Sequence, residues 1–324
     1  DIPMQPKVLS LLTIVSVLFP LVGAVKAQQK DPRKIELNVF RIDTAVVAAR
    51  ARGLFAAEGF NINVTTTPNS TDQMRGVSKG QFNVISSAFD NVLAWSGKEG
   101  AEIIAVAQAT EGIVLPVFVR PEIKNWSDLK GKKLAVDAVD TAFALVLRRI
   151  LLAHGLDLKR GDYELVALGA TAQRLESMTR GETFAGILNA PFDAKAVAAG
   201  MVRFTDHREV LPDYPGGILG ANKSWAQSHR EDLVGFLHAW LAAGRWVKNP
   251  ANREEAIKLV SEDLKLSHQA AIDSVNELSA TGSLNLPGLQ NVLDLRVQFG
   301  FKLPMGNSLD RYYDLSYYRE AAGR

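Results

Sequence analysis

Polar residues capable of holding a small molecule cluster just beyond runs that read as β-strands. Arg41, Asp43 and Thr44 follow the first run, Ile35 to Phe40. A guanidinium at Arg41 can form a two-pronged pair with a carboxylate or sulfonate, while Asp43 and Thr44 either cap the next helix or face a ligand. Asn69, in Thr67-Pro-Asn-Ser-Thr71, presents the same alternatives. Ser86, Ser87 and Asp90 stand in Ser86-Ser-Ala-Phe-Asp-Asn91, where a strand passes directly into a helix and leaves backbone N–H groups free for an oxyanion. Asp90 either caps those donors or offers its carboxylate to a hydroxyl or cationic nitrogen. Asp137, Asp140 and Thr141 repeat the arrangement further on, followed by Thr171 and then Asn189. Asp140 or Thr141 as a plain helix cap is the simpler reading there. Phe89, Phe143 and Phe192 supply either aromatic faces or core.

Catalysis has little support in the same sequence. The five histidines show no zinc-helix spacing, and neither a Gly-x-Ser-x-Gly elbow nor a Walker A loop occurs. His154, beside Gly155, reads as a cation at a helix C-terminus. Cysteine is absent, which removes disulfides, thiolate metal sites and a thiol nucleophile. Neither a metal nor a cofactor is expected.

The elements that must position these residues alternate β-rich and amphipathic runs from residue 35 onward, the pattern of an α/β protein with mostly parallel sheets. Strands are predicted at Ile35–Phe40, Asn61–Thr67, Phe82–Ser86, Glu102–Gln108 and Val114–Val119. Helices fill the gaps, including one over Thr44–Ala57 that stops at Gly59. The rhythm resets near Arg120 and repeats from Lys133 to Thr205. The glycine- and proline-rich stretch Pro212 to Gly220 then leads to a helical tail. These breaks predict a discontinuous first lobe, residues 28–120 plus 222–324, with the second lobe, 121–221, inserted. The tail is expected to pack back on the first lobe.

Residues 1–27 read as a cleavable signal peptide: Lys7 precedes an apolar run that ends at Val25-Lys-Ala27. A periplasmic location follows as the expectation. The formal net charge of +2 is spread among acids rather than massed, giving no reason to expect nucleic acid.

Four features carry a resemblance: Gly53-Leu-Phe-Ala-Ala-Glu-Gly-Phe60, Asp128-Leu-Lys-Gly-Lys-Lys-Leu-Ala-Val136, the Gly181 turn before Ala185-Gly-Ile-Leu-Asn-Ala-Pro191, and Trp225 ahead of a helix. They resemble the nitrate/sulfonate/taurine branch of ABC-importer solute-binding proteins, which also includes pyrimidine-precursor binders. The resemblance implies a two-lobed, type II periplasmic-binding-protein-like fold, with two mixed or parallel sheets and two crossover strands. It also implies a monomeric receptor that closes on a small polar or aromatic ligand and delivers it to a membrane permease. Its ligand positions map onto Arg41 to Thr44, Ser86 to Asp90, Asp137 to Thr141, Thr171 and Asn189. Asp137 and Asp140 depart from the small hydroxyl residues that sulfonate binders favour, which argues against a simple sulfonate or nitrate, whereas Arg41 argues for some acid group. Two alternatives accompany this reading: a receptor serving a membrane sensor, and a pyrimidine-precursor synthase on the same fold. The resemblance gives such a synthase an iron-binding cysteine-rich segment, which a chain without cysteine lacks.

Overall fold

The computed structural model describes residues 31–324 and Pro3; the rest of the predicted signal peptide lies outside the described residues. β1 (Arg33–Val39) leads through α1 (Thr44–Ala51) and α2 (Leu54–Ala57) to β2 (Phe60–Thr66), followed by α3 (Ser70–Ser78), β3 (Val84–Ser87), α4 (Phe89–Trp95) and β4 (Ile103–Gln108). A second series follows: β5 (Pro116–Val119), β6 (Lys133–Val136), α5 (Ala142–Ala153), β7 (Glu164–Ala167), α6 (Thr171–Thr179), β8 (Ala185–Ile187), α7 (Phe192–Ala198) and β9 (Val202–Asp206). The chain then adds β10 (Ile218–Asn222), α8 (Lys223–Ser228), α9 (Arg230–Lys248), α10 (Arg253–Leu264), α11 (His268–Glu277), α12 (Leu286–Gln298) and α13 (Ser316–Ala322).

The strands form two five-stranded sheets, ordered β2-β1-β3-β10-β4 and β7-β6-β8-β5-β9. β1 runs parallel to β2 and β3, β6 runs parallel to β7 and β8, and β10 and β5 are antiparallel to both their neighbours. Each sheet is therefore mixed. β4 and β5 are buried at every position because both faces are covered, which explains their unbroken apolar runs.

Three differences from the sequence reading have physical causes. The helix expected over Thr44–Ala57 is interrupted at Gly53, whose φ of 66° breaks the α-helical path and starts α2; Gly59, at φ +78°, ends it as expected. Val114–Val119, expected in the first lobe, pairs as β5 with β8 and β9 of the second sheet. The passage between sheets thus runs through residues 109–115, ahead of Arg120, and the return runs through 207–217. Periodicity marks a buried strand without saying which sheet it joins.

The third difference concerns the tail. α9 packs on α1, α2 and α13, and α10 packs on α1, so this part lies against helices of the first half. α12 instead lies against both α4 and α5. Its Leu289, Val292, Leu293 and Leu295 share one hydrophobic cluster with Phe89 and Leu93 of the first half and with Leu145 and Leu147 of the second. Each such side chain stabilises the joined core by about 1.5–3 kcal/mol.

The two passages are tied by His207. Its Nδ1 accepts the Leu115 N–H at 3.2 Å, and its own backbone N–H donates to the Leu115 carbonyl. Burial lowers the imidazole pKa from 6.5, opposed by Asp206 and assisted by Arg208. The neutral ring is the form that accepts. Because the folded pKa is depressed, this contribution is present in full above about pH 6.5 and is lost as pH falls through the folded value. His207→Gln is expected to flatten the decline in urea midpoint between about pH 7 and pH 5; an unchanged pH profile would refute the assignment.

Candidate functional site

The C-terminal ends of β3 and β6 each feed a helix, α4 and α5, and the tail joins these two junctions. Asp90, in the first turn of α4, is 3% exposed. Arg296 of α12 donates through Nε to Asp90 Oδ1 and through Nη2 to Oδ2, both at 2.7 Å. The same Nη2 donates to the Asp140 carbonyl at 3.0 Å. Burial raises the Asp90 carboxyl above its ordinary range, the Arg296 fork opposes this, and the negative charges of Asp140 and Asp137 reinforce it. Tyr214, from the return passage, is pushed up by burial and then by Asp90.

On the second sheet's side, Thr141 caps α5 and donates its hydroxyl proton to Asp137 Oδ1 at 2.5 Å. Thr171 donates to Asn189 Oδ1 at 3.1 Å. Arg174 is 3% exposed and donates to the Gly169 carbonyl, the Thr171 hydroxyl and the Ile187 carbonyl. Its hydrogen-bond partners are thus neutral; burial lowers its pKa and Asp137 opposes the shift. Asp137, Phe143, Leu147 and Arg174 enclose a space too narrow for a water-sized sphere.

Other expected site residues are engaged elsewhere. Arg41 is exposed and ion-paired with Glu277. Asp43 caps α1 through the Val46 N–H at 2.8 Å and accepts the Trp240 Nε1–H at 3.2 Å; burial raises its pKa. Thr44 is buried and donates to the Ser274 carbonyl. Asn69 is an exposed cap of α3. The Ser86 carbonyl accepts from Gln73, and the buried Ser87 hydroxyl accepts from Asn91. Asp90 is neither cap nor free carboxylate, since Ala88 holds the cap position and Arg296 takes the charge.

The seam therefore gathers Asp90, Asp137, Asp140 and Thr141, with Thr171 and Asn189 joined beside them. Sequence reasoning missed Arg296, Arg174 and Tyr214. For Arg296 a signal existed: it continues the apolar stripe Leu289, Val292, Leu293 at helical spacing, and a charge on such a stripe needs a buried partner. Among the described residues, no group of three or more histidine, cysteine, aspartate or glutamate side chains could hold a metal ion.

The buried fork generates a double-mutant test. Asp90→Leu or Arg296→Met alone is expected to cost about 3–5 kcal/mol by stranding the partner's charge, and the double variant to recover most of that loss. Urea denaturation measures it; simple additivity would show the pair to be uncoupled.

No curated protein matches the chain. A solved structure from Bordetella bronchiseptica RB50 is 22% identical with a TM-score of 0.70, covering 90% of this chain and 98% of its own. The alkanesulfonate-binding protein SsuA from Xanthomonas axonopodis pv. citri, bound to MOPS, is 15% identical with a TM-score of 0.68, covering 88% and 99%. The periplasmic nitrate-binding protein NrtA from Synechocystis PCC 6803 is 13% identical with a TM-score of 0.71, covering 90% and 89%. At these identities the likeness establishes the fold, which is the periplasmic-binding-protein architecture anticipated from the motifs. The sequence itself matches the NMT1-like family over residues 28–261, and the chain belongs to that family.

Proposed function

We propose that the protein is an exported, periplasmic solute receptor that holds a small polar or aromatic organic molecule between its two sheet-based halves and passes it to an ABC importer permease. The observation that carries this reading is the meeting of strand-end polar groups from both sheets at one seam, joined by Arg296 between Asp90 and Asp140. A ligand touching both sides binds the closed arrangement more tightly than the open one, and that difference drives closure. Residues 109–115 and 207–217 are the segments about which the halves would move.

The reading includes no catalytic step and a monomeric receptor. Its support is chemical: Asp90 is committed to Arg296, Asp137 accepts from Thr141, and Arg174 is occupied by carbonyls and a hydroxyl. None of these is a free nucleophile.

A thermal-shift panel of sulfonates, aromatic carboxylates, pyrimidines and amines tests the reading. A ligand at 100 times its dissociation constant should add about 2.7 kcal/mol. For whichever sulfonate, pyrimidine or amine of the panel binds, Asp137→Ala or Asp140→Ala should weaken calorimetric affinity by more than Asp72→Ala, which alters an exposed residue of α3. Equal effects would displace the site from the seam, and turnover of a panel member would make the protein an enzyme.

A further inference from the structure

A cavity of about 260 Å³ opens on the first half, away from the seam, between α9, residues 278–282 and α13. Trp240, Gly244, Arg245, Thr281 and Tyr318 are among its walls. Two glycines of α9 bear on its meaning. A Cβ on Gly235 would approach the Phe60 ring to 2.8 Å, so packing demands glycine there. A Cβ on Gly244 would meet nothing within 4 Å. Glycine inside a helix sacrifices about 1 kcal/mol relative to alanine, and no neighbour in the chain requires it at 244. Its effect is to leave the cavity open.

The walls suit one kind of guest. Trp240 is fixed by its Nε1–H bond to Asp43, and Tyr318 by donating to the Thr281 carbonyl at 2.9 Å, so both rings are held in place. Arg245 is exposed, and its side chain makes no hydrogen bond or ion pair among the described residues. One oxygen of Glu111, Oε1, accepts both the Ser279 hydroxyl and the Ala280 N–H. A space of about 150 Å³ accommodates benzene, so this larger one has room for a ring bearing an acid group. We propose that the cavity is a second binding site, independent of the seam, for a small planar carboxylate of the aromatic-acid class, with Arg245 pairing the carboxylate and the ring lying against Trp240 and Tyr318.

Its placement gives occupancy a consequence. Ser279 N–H donates to the Ala109 carbonyl at 3.0 Å, and Gln108 N–H donates to the Gly282 carbonyl at 2.8 Å. The wall formed by 278–282 is thus bonded to the point where the chain leaves the first sheet, and a bound acid would stiffen one of the two passages between the sheets.

Isothermal titration of the protein with benzoate, and with benzylamine as the charge-reversed control, tests this. Benzoate should bind with a dissociation constant below about 1 mM, and benzylamine at least about tenfold more weakly. Arg245→Gln should weaken benzoate by about tenfold or more. Gly244→Leu should remove binding while keeping or raising the melting temperature, since leucine there favours the helix and points into open space. Asp140→Ala should leave benzoate binding unchanged, which separates this site from the seam. Absence of benzoate binding, binding that survives Gly244→Leu, loss on Asp140→Ala, or equal affinity for benzylamine would each overturn the proposal. Arg245→Gln changes only an exposed side chain, so it decides the question even where Gly244→Leu fails to fold.

Discussion

The structure depends on one buried charge pair. Removing Asp90 and Arg296 from water costs several kcal/mol for each ion, and only a bidentate geometry with the remaining donors occupied offsets that cost. Two 2.7 Å bonds form the fork, and a further Nη2 proton goes to the Asp140 carbonyl. The requirement fixes the height and rotation of α12, because turning the helix by one residue would carry Arg296 out of reach of α4.

The chain anchors α12 at both ends on one strand. Before the helix, residues 278–282 bond to Gln108 and Ala109 at the end of β4. After it, Ala105 N–H donates to the Tyr312 carbonyl and Asp314 N–H donates to the Ala105 carbonyl, covering the exposed edge of β4. Tyr312 is fully buried and donates its phenolic proton to the Gly306 carbonyl at 2.6 Å, which secures the return. The tail is therefore a strap, fastened to β4 on either side of a helix that crosses the seam.

Much of this architecture was legible in the sequence. Strand runs such as Lys133–Val136 and the αL stop at Gly59 are local, and local chemistry settles them; the caps were legible only to within a residue, and the structure places them at Asp43, Asn69 and Thr141. The sheet membership of Val114–Val119 was not legible, because an apolar run looks the same wherever both its faces are covered. Among the site residues, Asp90, Asp137, Asp140 and Thr141 converge on the seam. Arg41, the expected partner for an acid group, is bound instead to Glu277, a residue 236 positions away that no local pattern connects to it. Arg296 and Asp90 are 206 positions apart, and their pairing follows from the path of the strap, which depends on tertiary packing.

Under the proposed receptor reading, the relative strengths of the bonds at the seam set how the halves would separate. Arg296 holds Asp90 through two charge-assisted bonds in a dry setting, where breaking the pair costs about 3–5 kcal/mol. It holds Asp140 through one bond to a neutral carbonyl, worth about 1.5–3 kcal/mol. The strap adds its two attachments to β4, both on the side of Asp90. The α12–α5 contact is consequently the weaker one and would part first, so that α12 would move as a member of the first half. In that reading, opening would free the Asp140 carbonyl and the Nη2 proton it accepts, with Asp137 and Thr141 beside them, and a ligand that restored both contacts would regain what the opening gave up.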